Sequence, residues 1–312
     1  MADGTQFGVD LITFYHPAFW GVDDYEDIIT LCEKDPLAFW DRILDALTRA
    51  GMSLLEITFP PADWNSVLAA YGSAAAFRHE LATRGLRLKS GFYLALDWLP
   101  GTDRAKASDS AARYAEFIKE AGGDTLVLGP PMRRDRSVTP AFFVDLEYMS
   151  AIADLLHHVG RATMAAGVRT AVHTEAHSIF CTRRDVDLLM TLTDPTYVFM
   201  CPDTGHLVLS GADPAEVVTH HRERMVICHW KDAIGPMPDD VPIDKNIHIL
   251  HRDYFRRVGA GRINWFEWDR LVNKTPISGV TLLELDAVPN PVQELAAARE
   301  YIERTLDKVA PG

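Results

Sequence analysis

The sequence predicts an α/β protein built as a single (β/α)8 barrel of the TIM type, and three observations indicate it. Short apolar runs alternate with longer amphipathic segments from end to end, strand first, which favours a closed barrel over an open sheet. Gly51, Gly85, Gly122 and Gly167 each end a helical pattern just before the next strand pattern. The 312 residues are 47% hydrophobic, and barrels of about 250 residues or more fold as one domain. We therefore expect residues 1–312 to form one domain.

The strand and helix patterns follow one another in a regular order. Each strand pattern is a short run of apolar residues, and each helix pattern repeats apolar residues every three to four positions. The expected strands are 7–12, 53–58, 86–93, 124–128, 168–174, 197–201, 225–230 and 279–284. The expected helices are 36–50, 66–84, 105–121, 147–166, 183–191, 213–222, 265–272 and 291–308. The last helix is rich in Ala, Glu and Leu, and we expect it to seal the barrel.

Two connections are too long to be simple turns. Residues 13–35 follow the first strand pattern, and residues 231–264 follow the seventh. In a (β/α)8 barrel both connections lie at the carboxyl ends of the strands, where loops build the active site. Because long loops at that face are more often lids than disordered segments, we expect both to cover a site.

Charge and composition argue against several classes of protein. Lys+Arg 31 against Asp+Glu 44 gives a net charge of −13, and so acidic a chain repels a nucleic-acid backbone. No window approaches the ~18 apolar residues of a membrane helix, and residues 1–10 lack the pattern of a signal peptide. Cys32, Cys181, Cys201 and Cys228 form no C-x-x-C pair and are expected to be reduced thiols. These features predict a cytoplasmic protein with no nucleic-acid or membrane partner.

Four side chains with metal-binding chemistry end the last four strand patterns: Glu175, Asp203, His229 and Glu284. Neighbouring strands of a parallel barrel bring their carboxyl ends together, so these side chains can converge on one ion. A lone glutamate at a strand end is usually solvated, but four such groups at equivalent positions favour a shared cation. Three carboxylates and one imidazole suit a hard or borderline divalent ion. We expect Mn²⁺, with Mg²⁺, Co²⁺ and Zn²⁺ as alternatives.

The motifs around these residues resemble the xylose-isomerase-like TIM barrel superfamily of sugar isomerases, epimerases and dehydratases. The resemblance rests on C-P-D-T-G-H, H-W-K-D about two dozen residues later, V-G-A-G-R-I-N-W and L-L-E-L, and is greatest to the inosose dehydratases. It implies that a metal is bound by four residues, Glu175, Asp203, His229 and Glu284. It also implies that His206 faces the substrate. An aromatic first loop, FYHPAFWG, and Asn264 in place of the usual Asp depart from the pattern and leave the substrate open.

The predicted chemistry is removal of a proton next to the carbonyl of a keto-sugar or keto-polyol. A divalent ion that chelates the carbonyl and a neighbouring hydroxyl acidifies the C–H between them and stabilises the enediolate. The candidate catalytic groups are His173, Glu175, Glu284 and His206. His173 shares a strand face with Glu175, so it either accepts the proton or orients a metal ligand. These residues leave open whether elimination, isomerisation or epimerisation follows.

Loop and strand-end residues are expected to contact the substrate: His16, Trp20, Lys231, His251 and Arg262. Residues 14–20 include five ring-bearing side chains, which predict a wall for a sugar or aromatic ring, or else a hydrophobic plug or subunit contact. Lys231 shares a face with His229 and is expected to neutralise carboxylate charge or bind a substrate oxygen. His251 lies in the long seventh connection, where it can fold over the substrate.

Two alternative functions remain open from the sequence. The aromatic first loop also resembles the larger subunits of C-glycoside deglycosidases, which eliminate an aromatic group from a 3-oxo-glucoside together with a small β-rich partner subunit. An endonuclease-IV-like repair enzyme uses the same barrel but needs additional histidine ligands, and strands two and three offer only Glu56 and Lys89. We expect a small-molecule substrate and an oligomeric assembly, with a small β-rich partner subunit under the deglycosidase alternative.

Overall fold

Eight parallel strands form a barrel in the computed structural model of the protein, which describes residues 5–133, 142–238 and 240–306. The strands are β1 (Gln6–Asp10), β2 (Leu54–Ile57), β3 (Arg87–Leu94), β4 (Thr125–Gly129), β5 (Arg169–His173), β6 (Val198–Cys201), β7 (His229–Trp230), β8 (Asp232–Ala233), β9 (Phe255–Arg256) and β10 (Val280–Leu283). The barrel order is β6-β5-β4-β3-β2-β1-β10-β7, with every pair parallel. Isolated parallel bridges, Met200 to Met225 and Asp203 to His229, bring the two edges together. The predicted (β/α)8 fold class is confirmed.

Helices alternate with the barrel strands, and both long connections contain additional elements. They are α1 (Pro17–Trp20), α2 (Tyr25–Lys34), α3 (Pro36–Ala50), α4 (Trp64–Tyr71), α5 (Ala74–Thr83), α6 (Arg104–Glu120), α7 (Leu146–Ala165), α8 (Arg183–Leu192), α9 (Thr204–Leu209), α10 (Pro214–Val218), α11 (Ile247–Arg252), α12 (Trp265–Val272) and α13 (Pro291–Thr305). The first connection contains α1 and α2, and the seventh contains α11 and the antiparallel pair β8–β9.

The structure corrects two of the predicted elements. The helix expected at 66–84 is two helices, because Gly72 ends α4 with a φ of 78° and the Ser73 side chain then caps α5. The strand expected at 225–230 is reduced to β7, and Met225 joins the sheet through an isolated bridge to Met200. The last predicted helix ends at Thr305, and residues 307 and 308 of that prediction lie outside the described residues.

Asp232 organises the long connection after β7. This buried side chain accepts hydrogen bonds from the backbone N–H groups of Gly259 (3.1 Å) and Gly261 (2.9 Å) and from Nε1 of Trp265 (2.8 Å). A Cβ at Gly261 would lie 2.2 Å from Oδ1 of Asp232, so only glycine allows this approach. The aspartate of H-W-K-D and the glycines of V-G-A-G-R-I-N-W therefore form one structural unit.

Within the described ranges, none of the helices combines the length and apolar character needed to cross a bilayer. The expectation that residues 1–312 form one domain stays a prediction, and residues 1–4 and 307–312 lie outside the described part.

Candidate metal centre and cavity

Four buried side chains converge at the carboxyl ends of neighbouring strands: His173, Asp203, His229 and Glu284. Each offers one ligand atom, and these atoms all lie within 4.8 Å of one another. His173 ends β5, His229 begins β7, and Glu284 follows β10 directly. Asp203 follows β6 and caps α9, where it accepts the N–H of His206 at 2.9 Å. We refer to these four residues as the metal group.

The structure places His173, and not Glu175, in the metal group. Three of the four ligands predicted from the sequence belong to it, but Glu175 groups instead with His248 and His251. The period-two spacing that put both side chains on one face ends with the strand, because β5 stops at His173. Beyond that point the chain turns, and Oε2 of Glu175 lies 3.3 Å from Nδ1 of His173.

The metal group has the chemistry of a divalent-cation site. Among the described residues, Nε2 of His173, Oδ2 of Asp203, Nδ1 of His229 and Oε2 of Glu284 are buried without a hydrogen-bond partner. Nδ1 of His229 lies 2.5 Å from Oε2 of Glu284, and Nε2 of His173 lies 3.6 Å from Oδ2 of Asp203. Buried polar atoms are normally satisfied, so atoms aimed at one point without partners fit a bound ion. Two imidazoles and two carboxylates suit Mn²⁺, Co²⁺ or Zn²⁺.

A second set of buried acidic residues lies behind His229, in a role that the sequence does not indicate. Nε2 of His229 lies 3.1 Å from Oε1 of Glu56, and the hydroxyl of Ser90 donates to the other oxygen of Glu56. Asp10, at the end of β1, completes a group with Glu56 and His229. Burial, with the charges of Glu284 and Glu56, raises the pKa of Asp10 well above its ordinary value. The signal available in the sequence was a carboxylate within each of the first two strand patterns, 7–12 and 53–58.

Lys231 neutralises the carboxylates and does not line the cavity. Its fully buried Nζ lies 2.5 Å from Glu284, 2.8 Å from Asp286 and 3.2 Å from Asp203. Burial disfavours the charged ammonium form of Lys231, but these carboxylates hold the pKa of Lys231 well above its ordinary value. Of the two roles expected for Lys231, these contacts favour neutralisation of carboxylate charge over direct contact with the substrate. A Cβ at Gly205 would lie 2.8 Å from Cγ of Lys231, which explains the glycine of D-T-G-H.

His206 faces the cavity in a defined tautomer. Its Nδ1 accepts the N–H of Ala176 at 3.1 Å, and burial lowers the pKa of His206 well below its ordinary value. The ring is therefore neutral, and Nε2 carries its proton. His251 is fully buried beside it, with ring centroids 5.3 Å apart.

A cavity of about 370 Å³ opens above the metal group. Its floor is polar and includes Asp10, His173, Glu175, His206, Glu284 and Asp286. Its wall and mouth are mainly apolar and include Tyr15, Phe59, Phe92, Leu94, Leu96 and Ile249. Tyr25 and Arg252 also line it. Arg252 lies in the long connection expected to fold over the substrate, whereas Tyr25 is not predicted from the sequence.

None of the five side chains predicted to contact the substrate is among the residues that line this cavity. Lys231 and His251 are fully buried, and the other three lie away from the cavity. Trp20 packs on Phe39 with ring centroids 4.5 Å apart and donates to the carbonyl of Phe14, so it belongs to the core. His16 caps α1 by accepting the N–H of Ala18 at 3.1 Å. Arg262 donates to the carbonyl oxygen of Gly235 at 2.7 Å and so braces the loop. Local capping and packing thus account for all three.

Comparison with known proteins identifies relatives along most of the chain. The model of the xylose isomerase-like TIM barrel family matches residues 44–305. The inosose dehydratase of Lacticaseibacillus casei is 24% identical over 274 residues, covering 81% of this chain and 91% of that protein. The inosose dehydratase of Geobacillus kaustophilus (strain HTA426) is 28% identical over 204 residues, covering 64% and 65%. These relatives support a sugar-processing enzyme of the dehydratase or isomerase type.

Solved structures share the fold at low sequence identity. The probable 3-DHS dehydratase AsbF involved in petrobactin synthesis from Bacillus anthracis has a TM-score of 0.70 at 13% identity, covering 96% of this chain and 99% of that one. The IOLI protein with a bound zinc atom has a TM-score of 0.70 at 12% identity, covering 98% and 100%. With a family model matched over residues 44–305, the chain belongs to the xylose isomerase-like TIM barrel family.

Proposed function

We propose that the protein is a divalent-metal-dependent lyase that removes a proton α to the carbonyl of a keto-polyol or keto-sugar, as an inosose dehydratase does. The observation that carries this proposal is the metal group. Its four ligand atoms have no hydrogen-bond partner among the described residues, and His173 and Glu284 form part of the polar cavity floor. The names of the inosose dehydratase relatives support the substrate class. Isomerisation and epimerisation begin with the same proton removal, so product analysis decides among the three outcomes.

His173, Asp203, His229 and Glu284 would hold the ion, most suitably Mn²⁺, with Zn²⁺ supported by the zinc-bound IOLI neighbour. Bound there, a divalent cation supplies charge that stabilises the negative oxygen formed as the C–H loses its proton. His173 is assigned to the metal and not to proton removal, because its two ring nitrogens face Asp203 and Glu175.

Glu284 is the group that we assign to accept the proton. It lines the cavity, and although burial opposes ionisation, Lys231 and His229 lower the pKa of Glu284 to about 2. The side chain is therefore ionised at neutral pH and can accept a proton. A carboxylate with so low a pKa is a weak base, so the C–H must first be acidified, which a divalent cation held by the metal group would do. His206 also lines the cavity, and its Nδ1 accepts the N–H of Ala176. We assign its Nε2–H to donate a hydrogen bond to a substrate oxygen.

The test is metal analysis of the purified protein followed by deuterium exchange in D₂O. The chelated and reloaded protein is incubated with a panel of inososes and 3-keto-glucosides, and incorporation at the carbon next to the carbonyl is followed by NMR. We expect exchange only with metal present and loss of exchange in Glu284→Gln. A protein that retains no metal after loading, or that exchanges equally well with chelator, contradicts the proposal.

The apolar cavity wall favours a second candidate, the catalytic subunit of a C-glycoside deglycosidase that acts with a small β-rich partner. Phe59, Phe92 and Ile249 surround the space above the polar floor, where an aromatic group attached to the sugar would lie. Release of the aromatic group from a 3-oxo-C-glucoside, with co-purification of a small partner, would favour this candidate. Turnover of a free inosose by the purified chain alone would favour the dehydratase.

A further inference from the structure

Two histidines of α11 lie next to Glu175. His248 and His251 are three residues apart, a spacing that puts both side chains on one face of a helix. Their Nδ1 atoms lie 3.5 Å and 3.8 Å from Oε1 of Glu175. The three ligand atoms lie within 4.8 Å of one another, and none of these residues belongs to the metal group.

The distances from Nδ1 of His248 and His251 to Oε1 of Glu175 match the spacing of ligand atoms around one metal ion. Contacts of 3.5 Å and 3.8 Å exceed the length of a normal N–H···O hydrogen bond. Zinc ligands lie about 2.0–2.2 Å from the ion, so two ligands at the tetrahedral angle are about 3.4 Å apart. The observed distances are therefore close to the edge of a coordination tetrahedron.

His251 provides an independent indication of a ligand. Its side chain is fully buried, and among the described residues its Nδ1 has no hydrogen-bond partner. Its other nitrogen, Nε2, lies 3.0 Å from Nδ1 of His177. In metal-binding histidines, a contact made by the ring nitrogen that does not bind the metal fixes the orientation of the ring. A buried imidazole nitrogen aimed at a carboxylate without a hydrogen bond is explained by a cation between them.

We propose that Glu175, His248 and His251 bind a second divalent cation, separate from the metal group. Two imidazoles and one carboxylate suit a borderline ion such as Zn²⁺ or Co²⁺. Glu175 and His248 both line the cavity, so the remaining coordination position faces the space where substrate or water enters. The ion would also link α11, in the connection after β7, to the turn after β5.

Zinc titration of the full-length, chelator-treated protein tests this, with calorimetry for affinity and elemental analysis for stoichiometry. We expect two Zn²⁺ per chain in the wild type and one in the double variant His248→Ala, His251→Ala. The single variant His248→Ala, at a half-exposed position, is expected to fold and to show the same loss even if the double variant does not. His79→Ala, an exposed histidine on α5, is the matched control and should keep two ions.

The variant His229→Ala separates this site from the metal group. It should keep one Zn²⁺, and that ion should be lost when His248→Ala is added. The second site is overturned if the wild type binds no zinc. It is also overturned if the wild type binds a single Zn²⁺ that is lost in His229→Ala but kept in the double variant His248→Ala, His251→Ala. If the wild type binds a single Zn²⁺ that is lost only in the His248 and His251 variants, the second site is supported. The proposed metal group is then contradicted.

Discussion

Nε2 of His229 lies 3.1 Å from Oε1 of Glu56, and both side chains are fully buried. The opposite ring nitrogen, Nδ1, faces Glu284 within the metal group. A carboxylate on one side of an imidazole keeps the proton there and leaves the other lone pair free for a metal. Glu56 therefore sets the tautomer of His229 and the direction in which it can coordinate.

Replacement of Glu56 tests this arrangement. We expect Glu56→Gln to fold but to bind Mn²⁺ about 10–100-fold more weakly, because a neutral amide holds the proton on Nε2 less firmly. The dissociation constant is measured by competition with a chelator, and far-ultraviolet circular dichroism confirms the fold.

Ser90→Ala is the matched control for Glu56. It removes the hydrogen bond to the other oxygen of Glu56 and leaves the contact with His229 in place. We expect a change in Mn²⁺ affinity well below that of Glu56→Gln. Equal affinities for Glu56→Gln and the wild type would show that Glu56 does not orient His229.

His173 and Glu175 are distinguished by separate substitutions. The position of His173 in the metal group predicts that His173→Ala loses Mn²⁺, whereas Glu175→Gln retains it with about 10–100-fold weaker affinity, because Glu175 contacts only the other ring nitrogen of His173. Electron paramagnetic resonance of free Mn²⁺ gives both dissociation constants. The reverse result, with Mn²⁺ kept by His173→Ala and lost by Glu175→Gln, would restore the ligand set predicted from the sequence.

The barrel was predictable because its signals are local. Strand patterns, helix periodicity and helix-ending glycines each depend on a few neighbouring residues, and α3 begins and ends at the residues expected. Asp203, His229 and Glu284 were predictable for a related reason, since they sit at equivalent ends of adjacent parallel strands. The topology alone brings them together.

The substrate contacts were less predictable because loop side chains depend on distant partners. Trp20 occupies the core because Phe39 of α3 offers it a stacking surface, which no local pattern indicates. The residue that β5 contributes to the metal group depends on where that strand ends, and a difference of two residues exchanges Glu175 for His173. Glu56 was visible as a strand residue, but its role depends on a histidine more than 170 positions away.

Lys231 is expected to stabilise the metal-free fold. Its removal in Lys231→Met leaves Asp203, Glu284 and Asp286 buried without their cation, and breaking a buried ion pair costs about 3–5 kcal/mol. We expect the free energy of unfolding in urea to fall by about that amount without metal, and by less with Mn²⁺ bound. Lys89→Met is the control, because Lys89 pairs with the more exposed Asp124 and should cost less than about 1 kcal/mol. Similar losses for the two variants would contradict the proposed role of Lys231.

Asp232 is expected to hold the connection after β7 in place. The change Asp232→Ala removes the acceptor for the N–H groups of Gly259 and Gly261 and for the indole of Trp265. Each buried donor left without a partner costs about 1–3 kcal/mol, so the connection should open locally before the barrel unfolds. Hydrogen exchange should therefore speed up at residues 259–263 and stay unchanged in β5. Asp213→Ala is the control, because it removes an exposed helix cap on α10, and hydrogen exchange at 259–263 should stay as in the wild type. If Asp232→Ala also leaves exchange at 259–263 unchanged, other contacts hold this connection.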